Sequence, residues 1–152
     1  MPMTTADAVA DYLIVLAHER GESVNNLKLQ KLLYYAQAWH LALRDEPLFR
    51  EKFQAWIYGP AVPCVYRRFE PFGWRDIPAP ETAPPFTGET REFLDELAAE
   101  YMPLDEFTLE DLARREVPWL NARGGLPPEE PCSTEISEVE MRNSIRHVAE
   151  AA

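Results

Sequence analysis

The segment from Asn25 to Leu43 constrains the fold more than any other. Read as a helix, it puts Leu29, Leu32, Leu33, Ala36, His40 and Leu43 along one face. Leu32, Tyr35, Trp39 and Ala42 lie along the adjoining face. More than half of the circumference is covered, the pattern of a helix packed on two sides rather than laid on a surface. A helix of this kind needs others around it. The expectation is a mainly α fold, a compact single domain spanning residues 1–152, with about five to six helices and a small β element near residues 51–58. On the central helix, Lys28, Lys31, Gln37 and Arg44 are left for water or a partner.

The flanking segments supply the other elements. Val9, Tyr12, Leu13 and Leu16 predict an amphipathic helix over about residues 5–20, with Thr4 and Asp7 at capping-box spacing and Gly21 as its stop. Phe53, Ala55 and Ile57 alternate with Gln54, Trp56 and Tyr58, which predicts a short strand broken by Gly59–Pro60. Pro60 and Pro63 then suit a helix's first turn, and Val62, Val65, Tyr66 and Phe69 form its stripe. Residues 71–87, rich in Pro, read as a surface connection. Helices are expected over about 89–101 (Phe93, Leu94, Leu97, Tyr101) and from about Thr108, capped with Asp111 and carrying Leu109 and Leu112. Pro118 ends or redirects the latter. Residues 124–132 read as a mobile acidic loop. A last helix, capped by Ser137 with Glu140, uses Met141, Ile145 and Val148.

Charge narrows the function classes. The chain of 152 residues carries a net charge of −11. Its sequence pI is about 4.7. Nucleic-acid binders present basic surface, so direct nucleic-acid binding is not expected. The charge is unevenly placed: residues 1–75 hold 9 Lys/Arg against 8 Asp/Glu, and residues 76–152 hold 6 against 18. A polarised surface of this kind suits a basic partner, and solubility alone would also account for it. Cys64 and Cys132 form no CxxC pair, no apolar run approaches the ~20 residues of a membrane helix, and no basic region precedes an apolar stretch. A cytoplasmic protein without a membrane partner is the expectation.

Catalytic chemistry finds no foothold in the residue pattern. His18, His40 and His147 stand apart, with no HExxH and no i, i+4 ligand pair, so no metal or cofactor is expected. His40, on an apolar face, reads as a core or boundary histidine. Cys64 lacks a His partner or nucleophile motif and reads as a small buried side chain. No phosphate-binding Gly loop is present. An enzyme is therefore not expected. The aromatic content stands out, with 4 Trp and 6 Tyr. Core packing accounts for most of these, and Trp39 is read as core. Trp, Tyr and Arg also dominate binding hot spots, and Trp56, Tyr58, Tyr66, Arg67 and Arg68 form the best local candidate for a partner-binding surface.

Two blocks carry a resemblance. The stretch Leu27-Lys28-Leu29-Gln30-Lys31-Leu32-Leu33-Tyr34-Tyr35-Ala36-Gln37-Ala38-Trp39-His40-Leu41 closely resembles the signature of the Panacea domain family, the SocA-like antitoxins, often met as phage-associated proteins. Ala55-Trp56-Ile57-Tyr58-Gly59-Pro60-Ala61-Val62-Pro63-Cys64-Val65-Tyr66 resembles the family's second signature, in the matching order and separation. Glu116–Arg123, containing Trp119, is similar to a third and weaker block. The resemblance covers about residues 5–148 and gives Leu29, Lys31, Leu32, Tyr35, Trp39, His40, Gly59, Pro60 and Trp119 structural roles.

It implies a compact helical domain with a small β element. It also implies an antitoxin that neutralises, by direct binding, a toxin encoded by an adjacent gene. At least one family member delivers its toxin to the ClpXP protease, so an adaptor role is the alternative. An orphan prophage or mobile-element protein with another binding function is a further one. No catalytic residue or cofactor is implied, and a homo-oligomer stays open.

Overall fold

The computed structural model describes residues 3–151. Its centre is α2 (Asn26–Arg44), started by the Asn25 side chain, which accepts from the Lys28 N–H, and stopped by Asp45 in the left-handed region at φ 58°. Around it lie α1 (Ala6–Glu19), α3 (Pro63–Phe69), α4 (Gly88–Tyr101), α5 (Glu106–Arg114), α6 (Val117–Arg123) and α7 (Glu138–Ala151). A hairpin of β1 (Gln54–Trp56) and β2 (Gly59–Ala61) completes the set, with one 3-10 turn at Glu70–Phe72. The fold is mainly α with a small β element, as expected. Seven α-helices stand among the described residues, where five to six were anticipated. No helix among them is long and apolar enough to cross a membrane.

The extra helix is α6. Pro118 does not end α5 but sits in the first turn of α6, where its missing N–H costs nothing. Helix starts also differ from the sequence reading by one to three residues. Thr5, not Thr4, caps α1, because Thr4 lies extended beside Phe49. Asp105, not Thr108, caps α5, accepting from the Thr108 N–H at 2.8 Å. The α7 cap stands as read: Ser137 Oγ accepts from the Glu140 N–H at 3.2 Å. Leu43, Leu112 and Val148, expected in the core, are exposed.

The larger departure concerns α2. It contacts α1, α3, α4, α5, α7 and β2, so most of its length is enclosed and its last turn, with Leu43 and Arg44, meets water. Lys28, Lys31 and Gln37 are buried, and only Arg44 of the polar set faces solvent. Buried polar groups need partners, and these find theirs in surrounding backbone. Lys28 Nζ donates to the Met102 carbonyl at 2.7 Å, just past the end of α4. Gln37 accepts from the Leu48 N–H at 2.7 Å and donates to the Phe49 carbonyl at 2.8 Å. Gln30 accepts from the Val62 N–H at 2.8 Å and donates to Asn26 Oδ1 at 3.0 Å. Asn26 in turn donates to the Tyr66 carbonyl at 3.0 Å. The polar residues of α2 tie down the loops that wrap it.

The hairpin reverses one detail of the sequence reading. Gly59–Pro60 does not break the strand but begins the second one, with Trp56 opposite Gly59 and Ala55 opposite Pro60. Pro60 is thus a strand residue and only Pro63 opens a helix. The two-residue turn is Ile57–Tyr58, and Gly59 takes φ 100°, which L side chains rarely adopt. Behind the hairpin, the Ala55 N–H donates to the Thr134 carbonyl and the Ile136 N–H to the Phe53 carbonyl. The 124–132 loop is tethered, since Arg123 donates to the Pro127 and Glu130 carbonyls at 2.8 and 2.6 Å.

Candidate functional site

The hairpin turn projects Tyr58 over a cleft of about 190 Å³. Trp56, Tyr58 and Gly59 come from the hairpin, Tyr66 and Glu70 from α3 and its end, Gly73 and Trp74 from the segment beyond. The N-terminal half of α2 supplies Asn26, Leu27, Gln30 and Lys31. Trp56 meets Tyr66 edge-on at 5.0 Å between ring centres, and Tyr58 meets Trp74 edge-on at 6.4 Å. The outer pair is open to water, with Tyr58 54% and Trp74 66% exposed. Trp and Tyr are enriched among the residues that carry binding energy at protein interfaces. A second, shallower recess of about 290 Å³ lies on the other side of the turn, between Trp56–Tyr58 and Pro131–Cys132.

Three sequence candidates, Trp56, Tyr58 and Tyr66, are brought together here. Arg67 and Arg68 are not. Arg67 is exposed outside the cleft lining, and Arg68 turns to α1, paired with Asp11 at 2.7 Å and Asp7 at 3.2 Å. The helical period explains the split: residues one and two after Tyr66 face 100° and 200° away from it. Trp74 joins the cleft although it lies in the Pro-rich connection. Its signal in the sequence was a lone Trp in an otherwise turn-forming stretch.

The floor of the cleft holds a buried cation. Lys31 is 1% exposed, and its Nζ donates to the Pro60 carbonyl at 3.1 Å. Burial pulls its pKa down from 10.5 to about 7, opposed by the carboxylate of Glu110 on α5. Gly59 permits this approach, because a Cβ there would lie 2.6 Å from Lys31 Cε. Lys31 and Gly59, 28 positions apart in the chain, form one packing unit.

The hairpin is positioned from behind by α6. The buried Trp119 donates its indole N–H to the Trp56 carbonyl at 2.8 Å, and Arg123 Nη1 donates to the Ala55 carbonyl at 3.0 Å. The Arg123 guanidinium lies 4.7 Å from the Trp119 ring centre. At the N-terminus of α6, Glu116 accepts from the Tyr34 hydroxyl at 3.1 Å and the Tyr35 hydroxyl at 2.9 Å. Burial raises the Glu116 pKa, and burial followed by the Glu116 charge raises those of both phenols. Tyr35 stacks on Tyr101 at 4.4 Å.

Other motif residues are structural in the geometry. Leu29 and Leu32 are core. His40 is buried, donates from Nδ1 to the Glu46 carbonyl at 2.6 Å, and has its pKa lowered by burial. Trp39, read as core, is only half-buried: its indole N–H donates to the Tyr101 hydroxyl at 2.7 Å, and its ring borders a groove with Leu43 and Phe93. Cys64, read as buried, is exposed. Its partial desolvation and the nearby charges of Glu51 and Asp7 push the thiol pKa up, the reverse of an activated nucleophile.

The residue blocks that build this cleft identify a protein family. The model of the antitoxin SocA-like, Panacea domain family matches residues 29–120, and the chain belongs to that family. A curated relative is similar over part of its length. Over 68 residues, 45% of this chain, the identity to "Antitoxin SocA" of Caulobacter vibrioides (strain NA1000 / CB15N) is 43%. The match spans 36% of that relative's length. No solved structure matches the chain.

Proposed function

We propose that the chain is a non-enzymatic, antitoxin-type binding domain that neutralises a toxin protein by docking it at the hairpin cleft. Family membership and the similarity to a protein named as an antitoxin support the class. The carrying observation is the pair Tyr58 and Trp74, two large aromatic rings held out in water over an open cleft. Nothing in core packing requires that exposure. Their burial against a partner would remove apolar area from water and anchor the complex. The hairpin is held on both sides, by Trp119 and Arg123 behind and Lys31 below, so little ordering cost attends docking.

The acidic half of the chain, 6 Lys/Arg against 18 Asp/Glu, suits a partner with basic surface beyond the cleft. Complex formation should then weaken as salt rises.

The test is growth. The protein encoded next to this chain is expressed alone, with this chain, and with a Tyr58→Ala/Trp74→Ala double variant. Killing that is rescued by the native chain and not by the double variant supports docking at the cleft. Rescue by both would overturn it. If the toxin level falls in the rescued cells, delivery to a ClpXP-type protease replaces masking as the mechanism.

A further inference from the structure

Resting on that docking reading, we infer that the floor of the cleft receives one acidic side chain of the partner, a glutamate whose carboxylate reaches Lys31 between the aromatic walls. Lys31 has three donor hydrogens, and the Pro60 carbonyl takes one. Among the described residues no carboxylate lies within ion-pairing distance of it. The hydroxyls of Tyr58 and Tyr66, which line the same cleft, have no protein partner among the described residues. The amides that could compete are spent: Gln30 on Asn26 and the Val62 N–H, Asn26 on the Tyr66 carbonyl. The cleft therefore offers open donors, with a single negative group, Glu70, exposed among its lining residues.

Charge and shape select the occupant. Every lining residue belongs to the first 75 positions, the half with 9 Lys/Arg against 8 Asp/Glu, and not to the strongly acidic half. A volume of about 190 Å³ holds one side chain. The cation is covered, so the acceptor has to arrive at the end of a slim apolar stem. Glutamate has that form: two methylenes to lie against Trp56 and Tyr66, then a carboxylate. A chain-terminal carboxylate is joined directly to the branched α-carbon and is poorly shaped for the floor. An ammonium and a carboxylate make a hydrogen bond roughly twice as strong as a neutral one, and the effect grows where water is excluded.

The experiment uses the full chain labelled with nitrogen-15 and follows the indole N–H signals of Trp56 and Trp74. Three probes are titrated to millimolar concentration: N-acetyl-glutamate N-methylamide, its glutamine counterpart, and N-acetyl-leucine as the free acid. The glutamate probe is expected to shift both indoles and to bind at least fivefold more tightly than the glutamine probe. Lys31→Met should abolish that preference, and Tyr66→Phe, which keeps the ring, should weaken the glutamate probe a few-fold. Equal binding of glutamate and glutamine probes in the native chain overturns the inference whether or not Lys31→Met folds. Tighter binding of N-acetyl-leucine overturns it in favour of a chain-terminal carboxylate. The growth assay separates the two proposals. If the double aromatic variant loses rescue while glutamate and glutamine bind alike, the docking cleft stands without an acid receptor. If rescue persists while glutamate still prefers Lys31, the acid receptor stands and toxin docking lies elsewhere.

Discussion

Replacing Lys31 by Met should change the stability of the protein in a way that depends on pH. Met matches the length of the lysine stem and fills the same space beside Gly59 without the charge. In the folded chain burial lowers the Lys31 pKa from 10.5 to about 7. The unfolded chain therefore binds more protons than the folded one between those values, and stability rises with pH across that window. Below about pH 7 both states are protonated and the full penalty of the buried ammonium is present. By linkage that penalty is roughly 4 kcal/mol at pH 7 and roughly 2 kcal/mol at pH 9. Against it stands the hydrogen bond to the Pro60 carbonyl, whose loss leaves a buried acceptor unpaired at a cost of about 1–3 kcal/mol. Lys31→Met should thus be more stable than the native chain by about 2 kcal/mol at pH 7 and close to equal at pH 9. The Tyr, His and Cys groups titrate in both proteins and cancel in the difference. Urea unfolding followed by tryptophan fluorescence at the two pH values measures it. A gap between variant and native chain that changes by less than about 0.5 kcal/mol from pH 7 to pH 9 would refute the argument that desolvation governs Lys31.

Other perturbations test the frame around the cleft. Gly59→Ala meets both a positive φ and the Lys31 stem, and should lower stability by about 1–3 kcal/mol, read as a shift in urea midpoint. Glu116→Ala leaves the Tyr34 and Tyr35 hydroxyls without their acceptor; a loss of about 2–4 kcal/mol in the same assay is expected, and a neutral result would mean that water replaces the carboxylate. Trp119→Phe keeps most of the buried ring and removes the bond to the Trp56 carbonyl, so it should cost about 1–2 kcal/mol and speed amide exchange in β1 more than in α1.

The helical elements were largely legible in the sequence, because an amphipathic stripe has the same period as the helix that produces it. The buried faces of α1 and α4 came out as read, and α2 emerged as the central helix. Helix ends were harder. A cap is decided by which oxygen reaches a free N–H, and Thr4 with Asp7 had the right spacing without the right conformation. The extra helix α6 was hidden because a proline reads equally as a stop or as a first-turn residue.

The aromatic members of the cleft were visible as a cluster of residue types near one turn, whereas its arginines were misplaced. Tyr66 and Arg68 are two positions apart, and on a helix that spacing sends them to different neighbours. Lys31 shows the same limit from the other side. Nothing local distinguishes a lysine that faces water from one buried under the hairpin on a helix that others enclose. Sequence alone determined six of the seven helical segments among the described residues, that α2 must be central, and that the charge is divided between the two halves. All of these depend on periodicity and counting. Only the tertiary structure decided that the polar residues of α2 hold loop backbone, that Trp74 completes the cleft, and that its floor carries a desolvated cation. Burial, hydrogen-bond partnership and pKa are properties of a residue's neighbours in space, and those neighbours come from segments far apart along the chain.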